Sequence, residues 1–201
     1  MRHVVAHFER CEMNTLHPTL WRTCRVLANA RRLQCLKTVL CNPGATVGQV
    51  AETCNFPVNQ TSVYLRALQA RGLLQSVRDS RWVRYNPQAD PLVPSAGPVL
   101  AAMTRTLLKE NMPVKDVIFC LTAFTHPRRL VILAVLLQKR SIPFAALSHK
   151  SNVSPCALTR HLAKLCRRNM TVKDEKECCA ILSPPSPLAA SFFRLLRPSS
   201  T

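Results

Sequence analysis

The sequence predicts a mainly α-helical protein with small β-hairpin wings, built from two tandem copies of one module. Of its 201 residues 47% are apolar, which is enough to fill hydrophobic cores. A shift of 97 residues aligns segment 27–85 with segment 124–182 without a gap. Between the copies, the proline-rich stretch ADPLVPSAGP is typical of a domain boundary. We therefore expect a first domain at residues 1–90, a linker with a connecting helix at 91–116, and a second domain at 117–201.

The repeat rests on residues spread along its whole length rather than on one motif. Two copies are too few for a solenoid, so each copy must bury its own core or share one with a neighbour. The aligned identities pair Arg31, Arg32, Leu33, Leu36, Leu40, Asn55, Leu65, Leu68 and Arg71 with Arg128, Arg129, Leu130, Leu133, Leu137, Asn152, Leu162, Leu165 and Arg168.

The first copy begins with a helix over residues 31–40, whose apolar side chains recur at the spacing of one helix face. The stretch Asn42-Pro43-Gly44 ends this helix. Thr46 then caps a short helix over 47–53, with Gln49 in the third helical position of a capping box.

A longer helix follows from about Asn59 to Arg71, with Gly72 as its stop. Two short strands, at 73–77 and 82–85, form a hairpin after it. Helix, short helix, longer helix and hairpin is the order of a winged helix-turn-helix. The repeat therefore predicts two tandem winged helix-turn-helix domains.

Three patterns in the repeat carry a resemblance to a known family. A first-helix pattern, LA-x-x-x-R-L-x-I-L, is matched by Leu27, Ala28, Arg32, Leu33 and Leu36. The second copy has Arg129, Leu130, Ile132 and Leu133 at the R, L, I and L positions, preceded by His126 and Pro127. The residues Ser154, Leu158, Thr159, Arg160, His161, Leu162 and Leu165 look like a recognition-helix pattern, S-x-x-[ST]-x-H-L-x-x-L, whose later positions fall on Thr159, His161, Leu162 and Leu165. The residues Arg71, Gly72, Leu73, Arg78, Arg81, Trp82 and Tyr85 resemble a wing pattern, R-x-G-L-x-x-x-R-x-x-R-x-x-x-Y. On these residues the chain resembles the ArsR-like bacterial transcription repressors.

The second wing departs from the family. Asn169 replaces the glycine that precedes the wing, and residues 173–177 read Lys-Asp-Glu-Lys-Glu. This acidic composition argues against contact between the second wing and a DNA minor groove.

The resemblance and the charge together predict a sequence-specific regulator of transcription that binds double-stranded DNA. The net charge of +18 favours a polyanionic partner. In the first copy the candidate DNA-binding residues are Asn59, Gln60, Ser62, Tyr64, Arg66 and Arg71 on the longer helix and Arg78, Arg81 and Arg84 on the wing. In the second copy they are Thr159, Arg160, His161, Lys164, Arg167 and Arg168. Arg160 is our candidate for reading guanine, through its bidentate guanidinium.

Helices outside the DNA-reading units are the expected contacts between modules, because the family dimerises through its outer helices. The candidates are segments 16–28, 99–111 and 188–196. They allow either an internal pseudo-dimer within one chain or a homodimer.

Neither catalysis nor a cofactor is expected. Acidic residues are too few for paired carboxylates, and four glycines leave no phosphate-binding loop. The ten cysteines include no Cys-x-x-Cys pair, so we expect thiols packed as small apolar groups and no metal site.

The sequence also favours the cytoplasm, at the bacterial nucleoid, because we find neither a secretory leader nor a membrane span in it. Two other functions stay open. Plasmid and phage replication initiators also use tandem winged helices, and winged helices also act as protein–protein interaction modules.

Overall fold

A computed structural model of the chain describes residues 19–174 and 178–197. These residues are mainly α-helical, with ten α-helices, one π-helical segment and two small antiparallel sheets. The sequence prediction of a mainly α-helical chain with small β-hairpins is therefore confirmed. The part of the predicted first domain before residue 19 lies outside the described residues.

The described residues fall into two compact units, which divide between Thr122 and Ala123. The predicted linker and connecting helix, 91–116, lie within the first unit by this division, and so do residues 117–122. The connecting helix begins at Ala96 rather than near residue 99, and it continues as a π-helical segment.

The first unit contains six α-helices and a three-stranded sheet. In chain order its elements are α1 (Leu20–Leu27), α2 (Ala30–Cys41), β1 (Ala45–Thr46), α3 (Val47–Cys54), α4 (Val58–Gln69), β2 (Gln75–Asp79), β3 (Trp82–Asn86), α5 (Ala96–Thr104), the π-helical segment (Arg105–Lys109) and α6 (Val114–Leu121). The sheet order is β1-β3-β2, with Ala45 opposite Tyr85 and Gln75 opposite Asn86.

The second unit contains four described α-helices and a sheet of the same order. Its elements are α7 (Pro127–Lys139), β4 (Ser141–Pro143), α8 (Phe144–Ser151), α9 (Pro155–Cys166), β5 (Thr171–Lys173), β6 (Cys178–Ile181) and α10 (Pro187–Leu196). The sheet order is β4-β6-β5, with Ile142 opposite Cys179 and Thr171 opposite Ile181.

The predicted helix signals appear where the sequence puts them. Thr46 and Gln49 form a reciprocal capping box: the Thr46 hydroxyl accepts from the Gln49 backbone N–H at 3.3 Å, and Gln49 Oε1 accepts from the Thr46 N–H at 2.8 Å. Helix α4 starts one residue before Asn59, directly after Pro57, and ends two residues before Arg71. Such shifts of one or two residues are normal at helix ends.

The internal repeat extends to the backbone. Helices α3 and α8, and likewise α4 and α9, have identical bounds after the shift of 97 residues. Asn55 and Asn152, which end α3 and α8, both adopt the left-handed conformation, with φ of 53° and 51°. Gly72 and Asn169 also share a positive φ, of 70° and 54°. Asparagine tolerates this conformation better than most side chains, so the turn after the longer helix persists without glycine.

In each unit the core helix, α2 or α7, packs through the aligned leucines against the second of the two helices that follow it, α4 or α9. In the first unit Leu33, Leu36, Leu65 and Leu68 are fully buried. Their counterparts in the second unit, which are buried in the same way, are Leu130, Leu133, Leu162 and Leu165. Each such side chain stabilises the fold by about 1.5–3 kcal/mol relative to an exposed one. Helices α4 and α9 are thereby fixed with one face toward the core and the other toward solvent.

An aligned pair of arginines ties each core helix to the chain before it. Arg32 Nε donates to the carbonyl of Val26, and Arg129 Nε donates to the aligned carbonyl of Ala123 at 2.8 Å. Arg129 also donates to the hydroxyl of Thr125 at 2.7 Å and is only 5% exposed. Burial lowers the pKa of its guanidinium. These arginines therefore act in folding, within their own units.

None of the helices in residues 19–174 and 178–197 has the length and apolar character needed to cross a bilayer.

Candidate nucleic-acid interface

The outer face of α4 is the first candidate surface. Thr61, Leu65 and Leu68 point into the core, so the opposite side of the helix faces solvent. The exposed side chains of α4 are Val58, Asn59, Gln60, Val63 and Arg66, and Ser62, which lies among them, is half-buried. Asn59, Gln60, Ser62 and Arg66 were predicted from sequence, whereas Val58 and Val63, which are 58% and 59% exposed, were not. A periodicity count that starts from the buried positions would have placed Val63 there.

Gln60 and Tyr64 both contact Arg31 on α2, and Tyr64 is half-buried whereas Gln60 is exposed. Arg31 Nη1 on α2 donates to Gln60 Oε1 at 2.9 Å and lies 3.4 Å from the Tyr64 hydroxyl. The Tyr64 ring meets the Phe56 ring edge-on, with centroids 6.2 Å apart. These contacts orient α4 on the core helix. Sequence reasoning missed the role of Arg31, although its identity with Arg128 in the repeat marks the position.

Arg66 and Arg71 occupy different environments. Arg66 is exposed, and its Nη2 donates to the Ser62 hydroxyl at 2.9 Å. A guanidinium carries five N–H donors, so this bond leaves others for a phosphate. Arg71 is half-buried beyond the end of α4, and its Nε is buried without a hydrogen-bond partner among the described residues. Burial, and then the nearby Arg22, lower the pKa of Arg71. Arg66 is thus the better placed of the two for DNA.

The hairpin of β2 and β3 presents two of its three predicted arginines. Arg78 and Arg81 are exposed near the tip, where the Arg81 guanidinium lies 5.2 Å from the centroid of the half-exposed Trp82 ring. Arg84 instead forms an ion pair with Asp79, with Nε and Oδ2 2.7 Å apart, and donates to the Gly44 carbonyl at 3.3 Å. Arg84 therefore fastens the hairpin to the unit.

The outer face of α9 is the second candidate surface and is strongly basic. Its exposed side chains are Cys156, Thr159, Arg160, Ala163, Lys164 and Arg167. Arg160 occupies the middle of this face. The Thr159 hydroxyl donates back to the Pro155 carbonyl at 3.0 Å and can still accept a bond. Four of the six predicted residues of this helix region thus lie on one surface.

The other two predicted residues of the second unit turn toward its interior. Arg168 is half-buried and donates to the Lys164 carbonyl at 2.9 Å. His161 is half-buried, with its ring centroid 4.5 Å from that of His126, the residue that caps α7. Burial lowers the pKa of His161 to about 4, helped by His126 and nearby arginines. His161 is therefore neutral near pH 7.

Tyr64 and His161 occupy aligned positions, and both bind the core helix of their own unit. Two residues that the sequence singled out as candidate DNA contacts therefore also have contacts within their own units. The equivalence was visible in the repeat, but the direction of the two side chains was not.

The second hairpin differs from the first. Lys173 on β5 lies over the Phe144 ring at 5.0 Å, and Asp174 accepts a hydrogen bond from the Cys178 backbone at 2.7 Å. Residues 175–177, which include two glutamates and on which the expected loss of minor-groove contact depends, lie outside the described residues.

The buried thiols behave as apolar groups. Cys24, Cys35 and Cys54 are at most 5% exposed. Burial, followed by the neighbouring Cys54, raises the pKa of Cys35 to about 12. Within the described part of the chain no group of three or more His, Cys, Asp or Glu side chains is placed to hold a metal ion.

Comparisons of the chain with protein-family models, with curated proteins and with solved structures find no match.

Proposed function

We propose that this protein is a sequence-specific regulator of transcription that binds double-stranded DNA through two unequal winged helix-turn-helix heads. The observation that carries the proposal is the outer face of α9, where Thr159, Arg160, Lys164 and Arg167 are exposed together. A helix of this kind fits the major groove of DNA, where arginine reads guanine and neighbouring cations contact phosphates.

The order of elements in each unit supports the proposal. A core helix, a short strand, two further helices and a hairpin that pairs with the short strand follow one another twice. In a winged helix-turn-helix the second of the two later helices enters the major groove. That role falls on α4 and α9, and the exposed Arg78 and Arg81 give the first head a basic wing.

The two heads are unequal in this proposal. The first has a mixed polar and apolar helix face beside a basic wing, and the second has a basic helix face beside a shorter hairpin. Such a protein acts at the bacterial nucleoid as a repressor, as the resemblance to ArsR-like proteins implies. Both heads belong to one chain, so one copy can occupy two half-sites, and homodimerisation is tested by the stoichiometry of the complex.

The test is selection of preferred DNA from a random duplex pool by the full chain. We expect Arg160→Ala to weaken binding to the selected site about 10–100-fold, the value of a lost bidentate base contact, and binding to random duplex only a few-fold. Arg194→Ala is the matched control, because Arg194 is an exposed arginine on α10 of the same unit. Equal losses on both DNAs would remove Arg160 as a base reader.

The salt dependence of binding to random duplex separates DNA binding from a protein-interaction role. A DNA-binding surface gives an affinity that falls steeply as salt rises. The absence of any affinity at low salt would overturn the proposal and leave a protein partner as the ligand of these helix faces.

A further inference from the structure

The two proposed recognition helices differ at the centre of their outer faces. Because α4 and α9 coincide after the shift of 97 residues, Val63 on α4 is the counterpart of Arg160 on α9. Both residues are exposed, and both lie one position before the anchoring side chain, Tyr64 or His161. The same place on two equivalent helices therefore holds an apolar group in one head and a cation in the other.

Val63 is largely exposed to solvent, as is Val58 at the start of the same helix. The Val63 side chain is 59% exposed, while the aligned leucines of the helix are fully buried. A β-branched residue at an exposed helix position is also a weaker helix former than alanine or a charged residue. Burial thus does not explain a valine between Asn59 and Arg66 on the outer face.

The major groove of DNA offers one apolar group to such a side chain, the C5-methyl of thymine. The surface around Val63 suits DNA, because the exposed Arg66 lies one turn further along the helix and Arg78 and Arg81 lie on the adjoining hairpin. We propose that Val63 reads a thymine methyl group, so that the first head selects T·A at the position where the second head selects G·C. This inference rests on the proposed function and assigns its specificity.

Replacement of thymine by uracil tests the inference directly, because it removes only the methyl group. Each thymine of the selected site is replaced in turn, and the affinity of the full chain is measured. Loss of one buried methyl group corresponds to about a four-fold loss of affinity. We expect this loss at one or two thymines in the half-site of the first head.

The variant Val63→Ala completes a double-mutant cycle. The variant should bind the thymine and uracil sites with equal affinity, close to that of the wild-type chain on uracil. The matched control is Val77→Ala, since Val77 is 56% exposed but lies on β2. This control should keep the full sensitivity to uracil. A site with no uracil-sensitive thymine, or a Val63→Ala variant that keeps the sensitivity, would overturn the inference.

Exchange of the two side chains between the helices gives an independent test. Val63→Arg should move the base selected by the first head from thymine to guanine, and Arg160→Val should move the second head in the opposite direction. Specific binding with unchanged base preferences overturns the role of Val63 while leaving the proposed function standing. If the wild-type chain binds no duplex DNA, the role of Val63 and the proposed function are both overturned.

Discussion

Among the four glycines of the chain, Gly72 leaves the least room for an added methyl group. Its backbone has a φ of 70°, in the left-handed region, and an added Cβ would lie 3.0 Å from Val93 Cγ2 and 3.1 Å from Asp90 Cβ. The Gly72 carbonyl also accepts a hydrogen bond from the Asp90 backbone at 2.9 Å. The segment after the hairpin thus packs directly on this residue.

Two costs combine in Gly72→Ala. A left-handed backbone costs an alanine about 1–2 kcal/mol. Contacts at 3.0–3.1 Å with Val93 and Asp90 require these side chains to shift, and such overpacking costs about 1–3 kcal/mol. We therefore expect the first unit to lose about 2–5 kcal/mol of unfolding free energy, a large part of the stability of a small domain.

Tryptophan fluorescence during urea unfolding isolates this effect. Both tryptophans of the chain, Trp21 and Trp82, lie in the first unit, so the signal reports that unit. The matched control is Gly97→Ala, because a Cβ at Gly97 in α5 meets nothing within 4 Å. This control should be neutral or stabilising by about 0.5–1 kcal/mol.

The aligned Asn169 gives a second comparison. Asn169→Ala should destabilise the second unit by about 1 kcal/mol at most, since asparagine already occupies the left-handed backbone. It should leave the tryptophan transition of the first unit unchanged. If Gly72→Ala unfolds at the same urea concentration as Gly97→Ala, the close contact of Val93 with Gly72, and the cost predicted from it, are contradicted.

Two further predictions concern titratable groups. The pKa of His161 is about 4 in the folded chain against about 6.5 when unfolded, so the second unit should lose stability as the pH falls from 6.5 toward 4, and His161→Asn should flatten that dependence in amide hydrogen exchange. A wild-type slope in the variant would show that other groups cause it. Burial and neighbouring Cys54 raise the pKa of the Cys35 thiol to about 12, so mass spectrometry after native alkylation at pH 8 should find it unmodified, with exposed Cys156 modified. Equal labelling of Cys35 and Cys156 would mean that the core of the first unit opens readily.

The helices were predictable because local signals and the apolar period agree. The capping box of Thr46 and Gln49 and the spacing of the core leucines define α2, α3 and α4 to within a few residues. The chain after the first hairpin was harder to predict, because a π-helical segment is rare and none of the sequence signals described above marks it. The assignment of residues 91–122 to the first unit is likewise a property of tertiary contacts.

The direction of the site side chains was less predictable than their positions. Chemical type alone ranked Gln60, Tyr64 and His161 with the base readers, but each has a partner on or beside its own core helix. Those partners, Arg31 and His126, are separated from them by about 30 residues, so no local pattern reveals the pairing. Only the tertiary structure shows which of these side chains have partners at the core helix.

The divergence of the two copies follows the physical demands at each position of the longer helix. Inward positions, such as Leu65 and its counterpart Leu162, are identical because each must fill the same space in a close-packed core. The anchoring position keeps its inward contact while its chemistry changes from tyrosine to histidine. The central outward position, Val63 or Arg160, is exposed in both units, so the demands of the core do not fix its chemistry. For this reason the uracil substitution at the first half-site is the direct test of the proposed base contact by Val63.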